Sequence, residues 1–232
     1  MLKALLTDVD GTITDPTRRI DTGAVELIRS LIDQDIEVVL ASGNTSCFMD
    51  AVCRMIGTNG TFIAENGGVY RIGFLGTPRI KGDQSICRTA LETLQEYYRK
   101  KGVELELFSP TYRFADLAFA RTVPSDEVKQ VLADVPVQVI DTGYAIHLQS
   151  PGINKGTALV ALAQEMGWSP SDFLAIGDSL NDIQMLHTAG VGVTVANAHP
   201  DTKNVAQYVS EKKYGNGFID AIGKYRSYLR AR

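Results

Sequence analysis

Cysteine is scarce in this sequence: Cys47, Cys53 and Cys87 are the full set among 232 residues, and none stands in C-x-x-C spacing. An odd, dispersed trio excludes a disulfide framework or a thiolate metal site. It fits reduced thiols in a cytoplasm, carried as small half-buried apolar side chains. An excess of positive charge is also missing, since 23 Lys and Arg face 27 Asp and Glu for a net charge of -4. That balance excludes a broad basic footprint for nucleic acid. The late cluster Lys224, Arg226, Arg230 and Arg232 reads instead as a complement to the negative end of a terminal helix. No apolar run approaches bilayer length, and Leu2 to Asp8 is too short for a signal core. A cytoplasmic protein without membrane or nucleic-acid partners is therefore expected.

Several common chemistries are absent as well. His147, His187 and His199 are too dispersed for a triad or a histidine metal site, and His187 reads as a helix surface residue. Gly152-Ile153-Asn154-Lys155-Gly156-Thr157 has the wrong spacing for a P-loop. Gly190-x-Gly192 meets Val195 where a dinucleotide fingerprint needs a third small residue. There are no repeats, low-complexity tracts or long linkers.

What is present is an alternation of apolar runs and helical stripes. Lys3 to Thr7 is an apolar run that stops at Asp8. Asp21 is placed to cap a helix with Val25, Ile28, Leu31 and Ile32 on one face. Glu37 to Ala41 is a second run, ending at Ser42-Gly43-Asn44. Phe48, Ala51, Val52, Met55 and Ile56 then repeat at helical spacing up to Gly57. After Gly156, Leu159, Leu162, Ala163 and Met166 form another stripe, and Phe173 to Ile176 a third run that ends at Gly177-Asp178. Val191 to Val195 is a fourth run, and Phe218 to Leu229 is expected to be a closing helix. Strand and helix in alternation predict an α/β fold, a Rossmann-like parallel sheet with helices on both faces.

The middle of the chain reads differently. Asp83 to Lys101 predicts a helix with Ile86, Ala90, Leu94, Tyr97 and Tyr98 as its stripe. Residues 104–107, 116–119 and 144–148 alternate apolar with polar, as antiparallel strands do. Val135 to Ile140 and the following Asp141-Thr142-Gly143-Tyr144 read as two strands joined by a tight turn. Residues 80–151 are accordingly expected to be an inserted α+β domain, and residues 1–79 with 152–232 the core.

Three runs end in polar residues: Asp8 with Asp10, Ser42, and Asp178 with Asn181 and Asp182. Ligands of open parallel sheets bind beyond the carboxyl ends of the strands, so the topology would gather all three on one rim. Each alone has an ordinary structural explanation. Asp and Gly favour strand-ending turns, Ser caps helices, and acids favour helix starts. Four crowded carboxylates, however, repel one another, and a bound cation removes the conflict. An oxygen-only ligand set predicts Mg²⁺ rather than zinc.

These residues resemble the haloacid dehalogenase superfamily. Asp8-Val9-Asp10-Gly11-Thr12 is similar to its D-x-D-G-T motif, Ser42 to its strand-ending Ser or Thr, Lys155 to its helix-opening Lys, and Gly177 to Asp182 to its acidic G-D-x-x-N-D. The insertion resembles the type II cap, and Asn66-Gly67-Gly68 and Asn216-Gly217 resemble loops of the type IIB branch. The short cap and Ala41-Ser42-Gly43-Asn44 most resemble the small archaeal phosphoglycolate phosphatases.

The resemblance implies a phosphatase acting on a small phosphorylated metabolite, with phosphoglycolate first and sugar phosphates next. Asp8 would be the nucleophile and Asp10 the general acid and base, with Thr12 orienting the loop. Ser42, Gly43 and Lys155 would bind the phosphate. Mg²⁺ would be held by Asp8, the main-chain carbonyl of Asp10, Asp178 and waters, with Asp182 binding directly or through water. Tyr112 and Arg113 would either face substrate from the cap or form an ordinary exposed turn. A phosphomutase, a receiver-like signalling module and a catalytically dead binding protein are the alternatives, and the chain is expected to be a monomer or a homodimer.

Overall fold

The computed structural model describes residues 1–230, so Arg232 of the basic cluster lies outside the described residues. The chain forms two compact units, one of Met1–Arg79 with Asn154–Arg232 and the other of Ile80–Ile153. The first unit opens with β1 (Ala4–Asp8), α1 (Thr22–Ile32), β2 (Glu37–Ala41), α2 (Ser46–Ile56), β3 (Phe62–Ala64) and β4 (Val69–Arg71), and the two-residue β5 (Arg79–Ile80) falls where the first unit passes into the second. The second unit follows with α3 (Gln84–Arg99), β6 (Asp116–Ala120), α4 (Ser125–Val131), β7 (Gln138–Asp141) and β8 (Ala145–Gln149). The chain then returns to the first unit with α5 (Lys155–Glu165), β9 (Phe173–Gly177), α6 (Ile183–Thr188), β10 (Val191–Thr194), α7 (Pro200–Val205), β11 (Tyr208–Val209) and α8 (Tyr214–Tyr225).

The main sheet has the order β11-β10-β9-β1-β2-β3-β4-β5. Its strands from β11 to β3 are parallel, and β4 turns antiparallel to β3. Every residue of β1, β2 and β9 is buried, which is why these strands are continuous apolar runs without alternation. One face carries Leu6, Val39, Ala41 and Ala175 against Leu159 and Leu162 of α5 and Met185 and Leu186 of α6. The register sets Asp8 opposite Ala41 and Thr7 opposite Ile176. The polar residues that follow β1, β2 and β9 therefore emerge at one edge of the sheet.

The helix starts follow the local signals. The Asp21 carboxylate accepts from Ala24 N–H at 2.9 Å, capping α1, and Gly57 ends α2 at φ 94°. The buried face of α2 differs from the expected stripe. Met49, Cys53 and Ile56 face the core, while Phe48 and Met55 are exposed. Phe48, Val52 and Met55 instead line a groove of about 620 Å³ shared with Val25 of α1. Two adjacent apolar stripes satisfy the same helical period, and only the neighbouring elements choose between them. The cysteines are also more polarised than expected: Cys53 and Cys87 are fully buried and Cys47 is exposed.

The closing helix starts earlier than expected, at Tyr214, and ends at Tyr225. A 3₁₀ turn over Arg226–Tyr228 follows, and Leu229 then pairs with Leu2. The backbone bonds from Leu2 N–H to Tyr228 and from Arg230 N–H to Leu2 take the place of another helical turn.

In the second unit β6, β8 and β7 form an antiparallel sheet, with β8 in the centre. Cys87, Ala90, Leu94 and Tyr98 of α3 pack on Leu117, Phe119, Ile146 and Leu148. The turn between β7 and β8 is built on Gly143 at φ 80°, with Thr142 N–H donating to the Ala145 carbonyl at 3.0 Å. Residues 104–107 form no strand; only Leu107 makes a bridge, to Phe119. Tyr112 is exposed, but Arg113 is buried, and its Nη1 donates to Asp116 Oδ1 at 2.6 Å. Asp116 Oδ2 lies 2.9 Å from His147 Nδ1. Burial opposes ionisation of Asp116, yet Arg113 and His147 hold its carboxyl below the ordinary range. Arg113 is thus not part of an exposed turn, because its charge is spent on a buried carboxylate. Among the described residues, no helix is long and apolar enough to cross a membrane.

Candidate active site

The last residue of β1 is Asp8, and its carboxylate is almost wholly buried. Its Oδ1 accepts from Lys155 Nζ at 2.6 Å. Lys155 is the first residue of α5, where Asn154 caps the helix and sets the direction in which the lysine leaves it. The same ammonium donates to Asp182 Oδ1 at 2.6 Å, so one fully buried cation serves two carboxylates. Burial disfavours the charge on Lys155, but Asp182 and Asp8 outweigh it and hold its pKa above the ordinary lysine value.

The loop after β9 completes the negative side. Asp182 Oδ2 accepts from the Asp178 and Ser179 N–H groups, both at 3.0 Å, which folds 178–182 into a tight turn. Asp178 is held more loosely, with Thr12 Oγ1 and Asn197 Nδ2 each 3.4 Å from one of its oxygens. Gly11 lies against it at φ 86°, and a Cβ there would stand 2.4 Å from Asp178 Oδ2. Only glycine combines that backbone with that approach. Carboxylate oxygens of Asp8, Asp178 and Asp182 all lie within 4.8 Å of one another. Burial raises the Asp8 pKa well above its usual range; Lys155 opposes the shift, and Asp182, Asp178 and Asp10 add to it. Asp178 is pushed up to about 7, first by burial and then by Asp182.

The loop after β2 faces Asp10. Asn44 Nδ2 donates to Asp10 Oδ2 at 2.8 Å and to Ser42 Oγ at 3.0 Å, and Ser42 Oγ lies 3.4 Å from Asp10 Oδ2. Gly43 lies between them, half-buried. Asp10 is therefore turned toward Ser42 and Asn44, whereas Asp8 is turned toward Lys155.

Asp8 Oδ2 is buried and has no hydrogen-bond partner. A carboxylate oxygen in that state is costly unless a cation or an electrophile meets it. With Asp178 beside it, the donor set is oxygen only and suits a hard divalent ion. Asp182 is the weaker donor of the three, since both its oxygens are already engaged.

The family model for haloacid dehalogenase-like hydrolases matches residues 5–119 and 125–222, nearly the whole chain. The chain belongs to the haloacid dehalogenase-like hydrolases. Curated relatives named phosphoglycolate phosphatase include one from Methanoculleus marisnigri, 62% identical over 234 residues and 100% of both chains. Another, from Methanospirillum hungatei, is 49% identical over 232 residues, again 100% of both. Among solved structures, Thermoplasma acidophilum 0175 superposes with a TM-score of 0.86 at 28% identity, covering 97% of this chain and 99% of that one.

Within this dehalogenase-like site three residues escaped the sequence reading as contributors. Asn44 bonds Asp10, Asn66 bonds Asn181, and Asn197 reaches both the Gly11 carbonyl at 2.8 Å and Asp178. Asn44 and Asn66 stood inside loops that the resemblance had singled out. Asn197 carried no local signal, since its partner Gly11 is 186 positions away.

Proposed function

We propose that this haloacid dehalogenase-like hydrolase is a Mg²⁺-dependent phosphatase that hydrolyses 2-phosphoglycolate to glycolate and phosphate through a phosphorylated Asp8. The observation that carries the reading is the buried, partnerless Oδ2 of Asp8, set beside Asp178 while Lys155 holds the other oxygen. The choice of substrate is supported by the relatives named phosphoglycolate phosphatase, aligned over the entire chain.

The Asp8 carboxylate attacks phosphorus in line, and the P–O bond to the leaving group breaks. Asp10, held by Asn44, delivers a proton to the departing alkoxide. Asp10 then removes a proton from the water that attacks the acyl phosphate, which frees phosphate and restores Asp8. Lys155 opposes the burial-driven rise in the Asp8 pKa and holds its carboxylate correctly turned, and Ser42 with the N–H groups of its loop donates to the phosphate oxygens. Asp8, Asp178 and the main-chain carbonyl of Asp10 would hold the cation, together with Asp182, which also fixes Lys155. When bound, the cation offsets the repulsion between Asp8 and the phosphate dianion.

The test is phosphate release from a panel of phosphoglycolate, sugar phosphates and p-nitrophenyl phosphate, with Mg²⁺ and with EDTA. Release that EDTA stops, with phosphoglycolate the best substrate by kcat/KM, is expected. A sugar phosphate as the favourite would move the substrate assignment and keep the chemistry. Release undiminished by EDTA would overturn the cation's role.

A pH dependence follows from the same carboxylates. The folded-state pKa of Asp178 is about 7 against an ordinary 3.8, and that of Asp8 is also raised. A group raised in the folded state contributes stability below its unfolded pKa and loses it as pH climbs through the folded value. Metal-free protein is therefore expected to melt at a lower temperature at pH 8 than at pH 5.5, and Mg²⁺ to close the gap. Thermal melts at both pH values, in EDTA and in Mg²⁺, check this; a metal-free protein that is more stable at pH 8 would refute it.

A further inference from the structure

The loop that joins β3 to β4 takes no part in the chemistry described so far, yet it touches three of the four segments that build the site. Glu65 N–H donates to the Asn44 carbonyl at 2.9 Å and Asn66 N–H to the Ser42 carbonyl at 3.2 Å, fixing the loop that follows β2. Asn66 Oδ1 accepts from Asn181 Nδ2 at 2.8 Å, and Asn181 Oδ1 in turn accepts from Ser179 Oγ at 3.0 Å. Gly67, at φ 99°, passes so close to α5 that a Cβ would stand 2.2 Å from the Asn154 carbonyl and 2.9 Å from Lys155 N. Glu65 and Asn66 are both buried, and both have left-handed backbone, at φ 50° and 53°. Two consecutive non-glycine residues in that region are uncommon, and such conformations persist where surrounding contacts over-determine them.

We propose that Asn66 is a positioning residue: its side chain ties the Asp178–Asp182 turn to the Ser42–Asn44 loop, so that carboxylates facing the cation and donors facing the phosphate keep one spacing. The inference rests on reading the site as a cation-assisted phosphoryl-transfer centre. Asn66 touches neither cation nor phosphate in this scheme. It acts through Asn181, one residue before Asp182 and three after Asp178. Partners that orient ligand-bearing residues typically change metal affinity or activity by about 10–100-fold when removed.

The deciding variant is Asn66→Gly, because glycine takes the left-handed backbone freely and deletes only the side chain. Mg²⁺ is titrated calorimetrically into the metal-free full-length protein, which needs no substrate. The dissociation constant of Asn66→Gly is expected to rise about 10–100-fold. Asn66→Asp, which keeps both the backbone preference and an acceptor for Asn181, is expected to recover most of the loss. Adding Asn181→Ala to Asn66→Gly should cost little more, since both remove the same bond. With saturating Mg²⁺, kcat should fall more than KM rises on the best ester of the panel. Parent-like Mg²⁺ affinity in folded Asn66→Gly, or fully additive losses in the double variant, would overturn the proposal. Should Asn66→Gly fail to fold, Asn181→Ala alone removes the bond from the other side, and parent-like affinity there is equally decisive against it. A parent protein that binds no Mg²⁺ would overturn the cation reading together with this one, whereas failure to hydrolyse phosphoglycolate would strike the substrate assignment alone.

Discussion

Asp8→Asn is expected to lower phosphate release by on the order of 10⁴–10⁶-fold, the scale seen when a covalent nucleophile is removed. The amide keeps the shape of the carboxylate and one oxygen able to accept from Lys155, which now stands at 2.6 Å. It cannot attack phosphorus. The variant also removes one negative charge from a buried group whose members raise one another's pKa. Its metal-free melting temperature is therefore expected to be no lower than the parent's, so activity and stability separate. Phosphate release and thermal melts on one preparation measure both. Substantial turnover by Asp8→Asn would remove Asp8 from the mechanism, and collapse of the fold would show that the carboxylate is structural.

Lys155→Met is expected to have the largest effect on stability. The ammonium is fully buried and neutralises Asp8 and Asp182 at once, so removing it strands two carboxylates in a low-dielectric site. Breaking a buried ion pair from one side costs about 3–5 kcal/mol, and methionine limits the added loss of packing. The cost should be largest in metal-free protein at pH 8 and smaller at pH 5.5, where the stranded carboxylates take up protons. Mg²⁺ should restore part of it by returning positive charge to the same place. Urea unfolding at the two pH values, with and without Mg²⁺, resolves these arms. A loss independent of both pH and Mg²⁺ would mean that Lys155 matters for packing rather than charge.

Much of the site was legible because its signals are local. An apolar run that stops at Asp8, at Ala41 or at Gly177 announces a strand end, and the polar residue that follows sits on the rim of a parallel sheet whatever else the chain does. Lys155 was legible in the same way, as the first residue of a capped helix. The roles of Asn66 and Asn197 were not, because their partners Asn181 and Gly11 are separated from them by 115 and 186 positions. Of the α2 stripe Phe48, Ala51, Val52, Met55 and Ile56, only Ile56 is buried, for a related reason. Phe48, Val52 and Met55 are as periodic as Met49, Cys53 and Ile56, and only the elements packed against the helix choose between them.

Asp182 marks the boundary between the two kinds of information. From sequence it is one more acid near a strand end, a metal ligand by resemblance. Folded, it has one oxygen on Lys155 and the other on two main-chain N–H groups, so its first task is to hold the lysine and the turn. Arg113 shows the same limit: the sequence offered an exposed or substrate-facing side chain, and the fold buries it against Asp116. By itself, then, the sequence determined the alternation of strands and helices, the polar residues at their ends and the oxygen-only character of the site, because period and turn chemistry act over a few residues. The tertiary structure decided which oxygen of Asp8 stands unpartnered, which carboxylates share Lys155 and which loop ties the rim together. Those outcomes depend on distances between segments far apart in the chain, and a pKa or a ligand set is a property of such distances rather than of any residue alone.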